Sequence, residues 1–202
     1  MMRCVLLVML LSIIVDAIPT LPSSTYDHVG VVVNDTVAVR DAWVSLLGIS
    51  TPSTFNNAGP AANLTFHGVH TDANILGAYF DCVKVEVLQP TGSPRSFWKD
   101  HLELFGNSPF YLGFATDQWQ IPDLDRFTQE FTAVGCPTSQ KGYWMNTPTT
   151  RGCYHYMHCE DSVFGANIEV MTRNNCTMSS QYSTAADPAV TAPTNIKKNR
   201  TN

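Results

Sequence analysis

The chain has 202 residues, a formal net charge of −5 and only 14% charged side chains, against roughly 25% in an average soluble domain. Apart from Lys197, Lys198 and Arg200 near the C-terminus it has no basic cluster, which excludes a nucleic-acid partner held by a basic face. The length suits one domain with a sizeable core.

Met1-Met2-Arg3 is followed by an apolar run from Cys4 to Val15 and by small residues at Val15 and Ala17. This pattern predicts a signal peptide over residues 1–17, cleaved after Ala17. The run falls short of the about 20 apolar residues of a membrane span, and no later stretch supplies one. A secreted protein, or one of the secretory-pathway lumen, is the expectation. Four Asn-x-Ser/Thr sequons, at Asn34, Asn63, Asn175 and Asn199, agree with it and mark glycosylation sites. The cysteines left after cleavage are Cys82, Cys136, Cys153, Cys159 and Cys176. In an oxidising compartment one or two disulfides are expected, and the odd count leaves a thiol over. No close CxxC pair suggests structural zinc.

A strand is predicted at 26–33, where Asn34-Asp35-Thr36 offers oxygens to cap the helix that follows. Val39, Trp43, Leu46 and Leu47 form its apolar stripe, and Gly48 ends it. Residues 52–60 read as a loop, and strands are predicted at 62–67, 74–80 and 83–88. A short connecting helix is expected at 96–105, with His101 on its surface. The second half repeats the order: a strand at 110–116, then a helix with Pro122 in its first turn and Leu124, Phe127, Phe131 and Val134 on one face. Strands at 141–145, 153–158 and 166–171 complete it. The last residues, rich in Ser, Thr, Pro and Asn, predict a disordered or extended tail over 173–202.

The two halves carry matching polar residues. Fifty-eight residues separate His28 from Glu86, and the same number separates Tyr111 from Glu169. Each pair runs from a strand with glycine two places on (Gly30, Gly113) to a strand of the form x-Val/Ile-Glu-Val. The segment from Tyr26-Asp27-His28 to Asp35, with a helix ending Leu46-Leu47-Gly48, resembles the opening of the vicinal oxygen chelate superfamily. Lys84 to Pro94, and Tyr156 to Asp161 leading into Gly165 to Val170, look most like its methylmalonyl-CoA epimerase branch. The resemblance spans about residues 25–172, read as one domain: module one at 25–90, a linker helix within 91–108 and module two at 109–172.

What the resemblance implies is an α+β fold of two paired βαβββ modules, their curled mixed sheet enclosing a cleft, with helices outside. It further implies metal ligands at His28, Glu86 and Glu169, with Tyr111 where the fourth ligand is usually His. Both glutamates interrupt apolar strands in a chain poor in charge, and two buried carboxylates without a cation would be costly. Phenol, with a pKa near 10, ligates well only under a strongly acidic metal. Three outcomes stay open: the metal sits on His28, Glu86 and Glu169 alone with open positions for substrate and water; Tyr111 coordinates or donates a hydrogen bond to a bound oxygen; or the site has lost its metal. One His and two carboxylates would accept Mn²⁺, Fe²⁺, Ni²⁺ or Zn²⁺. On β-strand alternation either His155 or His158 turns inward, so His155 joins the ligand-binding expectation, with Tyr143 as a pocket floor.

Two function classes follow. One is a divalent-metal enzyme on an oxygen-rich small molecule, abstracting a proton and stabilising an enolate, with Glu86 or Glu169 as base. Isomerase or epimerase, lyase and dioxygenase chemistry all fit it. The other is a metal-free secreted protein binding a small-molecule ligand in the same cleft. Because related folds often dimerise, the resemblance also leaves room for a homodimer.

Overall fold

The computed structural model describes residues 21–22, 25–57, 64–92, 94–145, 151–162, 164–173 and 176. The signal-peptide segment, the sequons at Asn63, Asn175 and Asn199, and all of the tail except residues 173 and 176 lie outside these residues. The fourth sequon, Asn34, is exposed just after the first strand. No described helix is long and apolar enough to cross a membrane.

Module one consists of β1 (Tyr26–Val32), α1 (Thr36–Leu47), β2 (Ser53–Asn57), β3 (Leu64–Phe66), β4 (Val69–Thr71), β5 (Asn74–Phe80) and β6 (Val85–Thr91). A connecting helix α2 (Phe97–Phe105) leads to module two. That module is β7 (Ser108–Ala115), α3 (Ile121–Ala133), β8 (Thr138–Met145), β9 (Arg151–Met157) and β10 (Asn167–Thr172). The ten strands of the described residues form one mixed sheet, curled into a half-barrel, in the order β2-β5-β6-β1-β7-β10-β9-β8-β3-β4. Each module therefore runs first strand, fourth, third, second, outward from a central antiparallel β1/β7 pair. The α+β fold of paired βαβββ modules is the one expected.

Two assignments within module one change. Ser53–Asn57, expected to be loop, is the module's edge strand and pairs antiparallel with β5. The strand expected at 62–67 is instead one arm of an inserted hairpin, β3/β4, whose Thr65 and Phe66 pair with Lys141 and Gln140 of β8 in the other module. The hairpin extends the sheet at its far end and sends Leu64 and Phe66 into the main core cluster.

Helix α1 begins where Asp35 accepts a 2.9 Å hydrogen bond from the Ala38 amide. It packs Val39, Trp43 and Val44 on the outer face of module one, with Trp43 against Phe80 at 5.1 Å between ring centroids. The predicted stripe fails at its end: Leu46 and Leu47 are 81% and 65% exposed, and Val44 takes their place against the sheet. On the outer face of module two, α3 buries Leu124, Phe127 and Phe131. Helix α2 packs from the other side, setting Phe97 and Trp98 against Tyr154 and Tyr156. His101, expected on the surface, is buried between Phe105 and Phe110 with Nε2 2.9 Å from Ser108 Oγ. A disulfide joins Cys153 of β9 to Cys176; Cys82, Cys136 and Cys159 are free.

Candidate metal centre

The β1/β7 pair explains the glycines. His28 lies opposite Gly113 and Tyr111 lies opposite Gly30, so each module's first polar ring rests on the other's glycine. A Cβ on Gly113 would come within 2.6 Å of the His28 ring, and one on Gly30 within 1.9 Å of the Tyr111 ring. Alanine at position 30 must push Tyr111 out of place. We expect Gly30→Ala to cost about 2–3 kcal/mol, read as a lower urea midpoint; an unchanged midpoint would mean the Tyr111 ring is not seated there.

Parallel pairing brings in the two glutamates. Strand β6 lies beside β1 with Glu86 level with Gly30, and β10 lies beside β7 with Glu169 level with Gly113. Four side chains from four strands thus meet on the concave face at the module junction. His28 Nε2 is 3.1 Å from Tyr111 Oη, 3.3 Å from Glu86 Oε2 and 3.4 Å from Glu169 Oε2. The Tyr111 hydroxyl donates a hydrogen bond to Glu86. Tyr79 packs edge-on to His28 at 5.7 Å, and Tyr156 packs against Tyr111 at 4.9 Å. His28, Tyr111 and Glu169 are buried; the Glu86 side chain, 19% exposed, faces the way out.

Burial governs the electrostatics. It pushes the Glu169 carboxyl up to about 7, against the pull of His28 and with the push of Glu86. Burial would also lower His28, but hydrogen bonds to Asp27, Glu169 and Glu86 override it and hold the imidazole well above its usual value. Tyr111 is held well above the ordinary phenol range by burial and then by the charges of Glu169 and Glu86.

Asp27 was not foreseen. Its Oδ2 is 2.9 Å from His28 Nδ1, and Arg173, just past β10, pairs with its other oxygen. Burial opposes ionisation of Asp27, yet His28 and Arg173 hold it down at about 2. An ionised Asp27 accepts a hydrogen bond from His28 Nδ1–H and fixes the ring with Nε2 toward the three oxygens. A bound cation would replace the proton that Nε2 carries there, the arrangement common behind metal-bound imidazoles.

The donors fit a cation. Ligand bonds of about 2.1 Å put neighbouring donor atoms roughly 3.0–3.4 Å apart in octahedral or tetrahedral geometry. The His28–Glu86 and His28–Glu169 distances, 3.3 and 3.4 Å, fall there. One donor atom from each of the three residues lies within 4.8 Å of the others. The buried Glu169 Oε2 has His28 Nε2 3.4 Å away, at the outer limit of a hydrogen bond, and a bound cation would satisfy it.

His155 and Tyr143 do not join this group. Strand alternation turns His155 to the helix side, where Nδ1 is 2.9 Å from Thr128 Oγ1 and burial holds the ring well below its usual value. Tyr143 lies with it in the cluster beneath α3. The inward residues of β9 are Tyr154 and Tyr156, both buried and packed on Trp98. His158, beyond the strand, packs on Phe97 and pairs with Glu160 at 3.6 Å.

No protein-family model and no curated protein matches the sequence. Among solved structures, methylmalonyl-CoA epimerase from Mycobacterium tuberculosis matches at 15% identity and a TM-score of 0.47, over 76% of this chain and 93% of that one. A Streptomyces coelicolor methylmalonyl-CoA epimerase in complex with 2-nitronate-propionyl-CoA matches at 18% identity and a TM-score of 0.44, over 73% and 93%. The 4-hydroxymandelate synthase of Streptomyces coelicolor matches at 8% and 0.43, over 76% and 50%. The assignment rests on the topology itself: two βαβββ modules joined through their first strands, with paired polar residues on the first and fourth strands of each. The chain has the vicinal oxygen chelate fold.

Proposed function

We propose that the protein is a secreted metal-dependent enzyme that removes a proton from carbon beside a carbonyl of an oxygen-rich small molecule. The observation that carries this reading is the convergence of His28, Glu86 and Glu169 from both modules, with a buried Glu169 oxygen that His28 approaches only to 3.4 Å. These three residues would hold a divalent transition metal: Mn, Fe, Ni or Zn. Such an ion supplies positive charge beside the oxyanion that develops on the substrate. Glu86, the open member, is the base that reaches the substrate, and buried Glu169 stays a ligand. Buried Tyr111 and Tyr156 wall the site on one side, and partly exposed Tyr79 packs edge-on to His28. Export, read from the N-terminal run and the sequons, puts the protein out of reach of acyl-CoA esters.

One observation favours a second reading, a metal-free binding protein: the Tyr111–Glu86 hydrogen bond links the cluster internally without an ion. Elemental analysis of protein purified without chelators separates the two. The enzyme reading expects near-stoichiometric transition metal, lost in the Glu86→Gln/Glu169→Gln double variant, and metal-dependent deuterium uptake by small hydroxy-ketones and 2-oxo acids in heavy water. A metal-free chain that takes up no added Mn²⁺, Fe²⁺, Ni²⁺ or Zn²⁺ would leave only the binding protein. Asp27→Asn, which loosens the orientation of His28, should lower Mn²⁺ affinity by about 10–100-fold. A Mn²⁺ titration followed by electron paramagnetic resonance checks this, and unchanged affinity would remove Asp27 from the site.

A further inference from the structure

The residue that departs from the expected ligand set sits at the fourth corner of the cluster. Tyr111 Oη is 3.1 Å from His28 Nε2 and in hydrogen-bond contact with Glu86 Oε2. Its ring is fixed by Gly30 beneath it and by Tyr156 at its side. The hydroxyl therefore cannot swing away without unpacking β1. A histidine-to-tyrosine exchange at such a place changes the chemistry of the donor set. It replaces a neutral nitrogen with an oxygen that becomes anionic on binding.

We propose that Tyr111 is a fourth ligand, binding as phenolate, and that this makes the centre selective for a hard trivalent cation, with ferric iron the reference ion. This rests on the three-residue metal centre above, adds a fourth ligand to it, and replaces its divalent ion by a trivalent one. Two carboxylates and one phenolate place three negative charges around one neutral imidazole in a buried site. A trivalent ion balances them, whereas a divalent ion leaves one buried charge uncompensated. Three oxygen donors against one nitrogen also favour a hard ion. On binding, the Tyr111 hydroxyl proton passes along its hydrogen bond to Glu86. Glu86, the member open to water, releases it to solvent and returns to its ionised form. The step displaces the Tyr111 hydroxyl proton together with the proton on His28 Nε2, which leaves the imidazole neutral, and it involves no change of oxidation state, since the iron enters as ferric ion.

Phenolate bound to ferric iron has a visible charge-transfer band and phenolate ring modes in resonance Raman spectra, neither of which depends on turnover. The test adds ferric nitrilotriacetate to metal-stripped full-length protein, with Mn²⁺ as the divalent probe. The expected result is a visible band and Raman modes in the wild-type chain and in Tyr154→Phe and Tyr156→Phe. The band should be absent in Tyr111→Phe and Tyr111→His, both of which still bind Mn²⁺. The phenylalanine variant keeps the ring over Gly30, and the histidine variant restores the expected ligand, so either one reports on a folded chain. Ferric uptake without the band, or a band that survives loss of Tyr111, would overturn the proposal and leave the metal centre standing. A chain that binds neither ferric iron nor Mn²⁺ would overturn both.

Discussion

Replacing Glu169 with glutamine should make the metal-stripped protein more stable at pH 8 and remove much of the pH dependence of its stability. The carboxyl is buried and raised to about 7, mainly by burial, from an unfolded value near 4.3. The folded state therefore holds a proton there over a range in which the unfolded chain has lost it. Stability from this group is fully present below the unfolded value and is lost as pH rises to about 7. His28, also raised, acts with the same sign, its contribution being lost as pH climbs through its folded value. Glutamine mimics the neutral acid at every pH. Because His28 loses an anionic neighbour in the same variant, the net gain at pH 8 is on the order of 2 kcal/mol. Urea unfolding of both proteins at pH 5 and pH 8 reads it directly. A wild-type protein equally stable at the two pH values, or a glutamine variant weaker at pH 8, would show that Glu169 is compensated by something other than an ion. A residue that destabilises the empty protein while serving as a ligand is what a binding centre predicts, since function holds it in a costly place.

Much of this centre could be read from the sequence because the gene encodes its geometry twice. His28 and Tyr111, Gly30 and Gly113, Glu86 and Glu169 hold equal spacings, and equal modules meeting through their first strands must bring equal positions together. What the repeat does not encode stayed hidden. Strand β2 reads Ser-Thr-Phe-Asn-Asn because an edge strand needs little apolar content. The partner of the β3/β4 hairpin lies in the other module, where no local pattern can point. On β9, Cys153-Tyr154-His155-Tyr156-Met157 is buried on both faces, so alternation says that neighbours diverge without saying which face is inside. The Asp27–Arg173 pair spans 146 residues of sequence, and nothing in either neighbourhood marks it.

The disulfide should matter nearly as much as any core side chain, and for a reason tied to the centre. Cys153 and Cys176 are 23 residues apart, and the segment between them holds most of β9 and all of β10, the strand pair that carries Glu169 inward. Cross-linking a loop of that length restricts the unfolded chain by about 3 kcal/mol. The Cys153→Ser/Cys176→Ser variant should therefore melt roughly 10 °C lower, given the size of the chain. The loss should be concentrated locally. Thr172 pairs with Cys153 in the sheet, and Arg173, between that pair and Cys176, holds Asp27 behind His28. Without the bridge, the amides of Met171, Thr172 and Arg173 should exchange with solvent faster than those of β1, and Mn²⁺ affinity should fall as it does in Asp27→Asn. If the variant melts with the wild type, the bridge constrains little. If it melts lower but keeps full metal affinity, Arg173 is held by β10 alone and the bridge serves stability without serving the site.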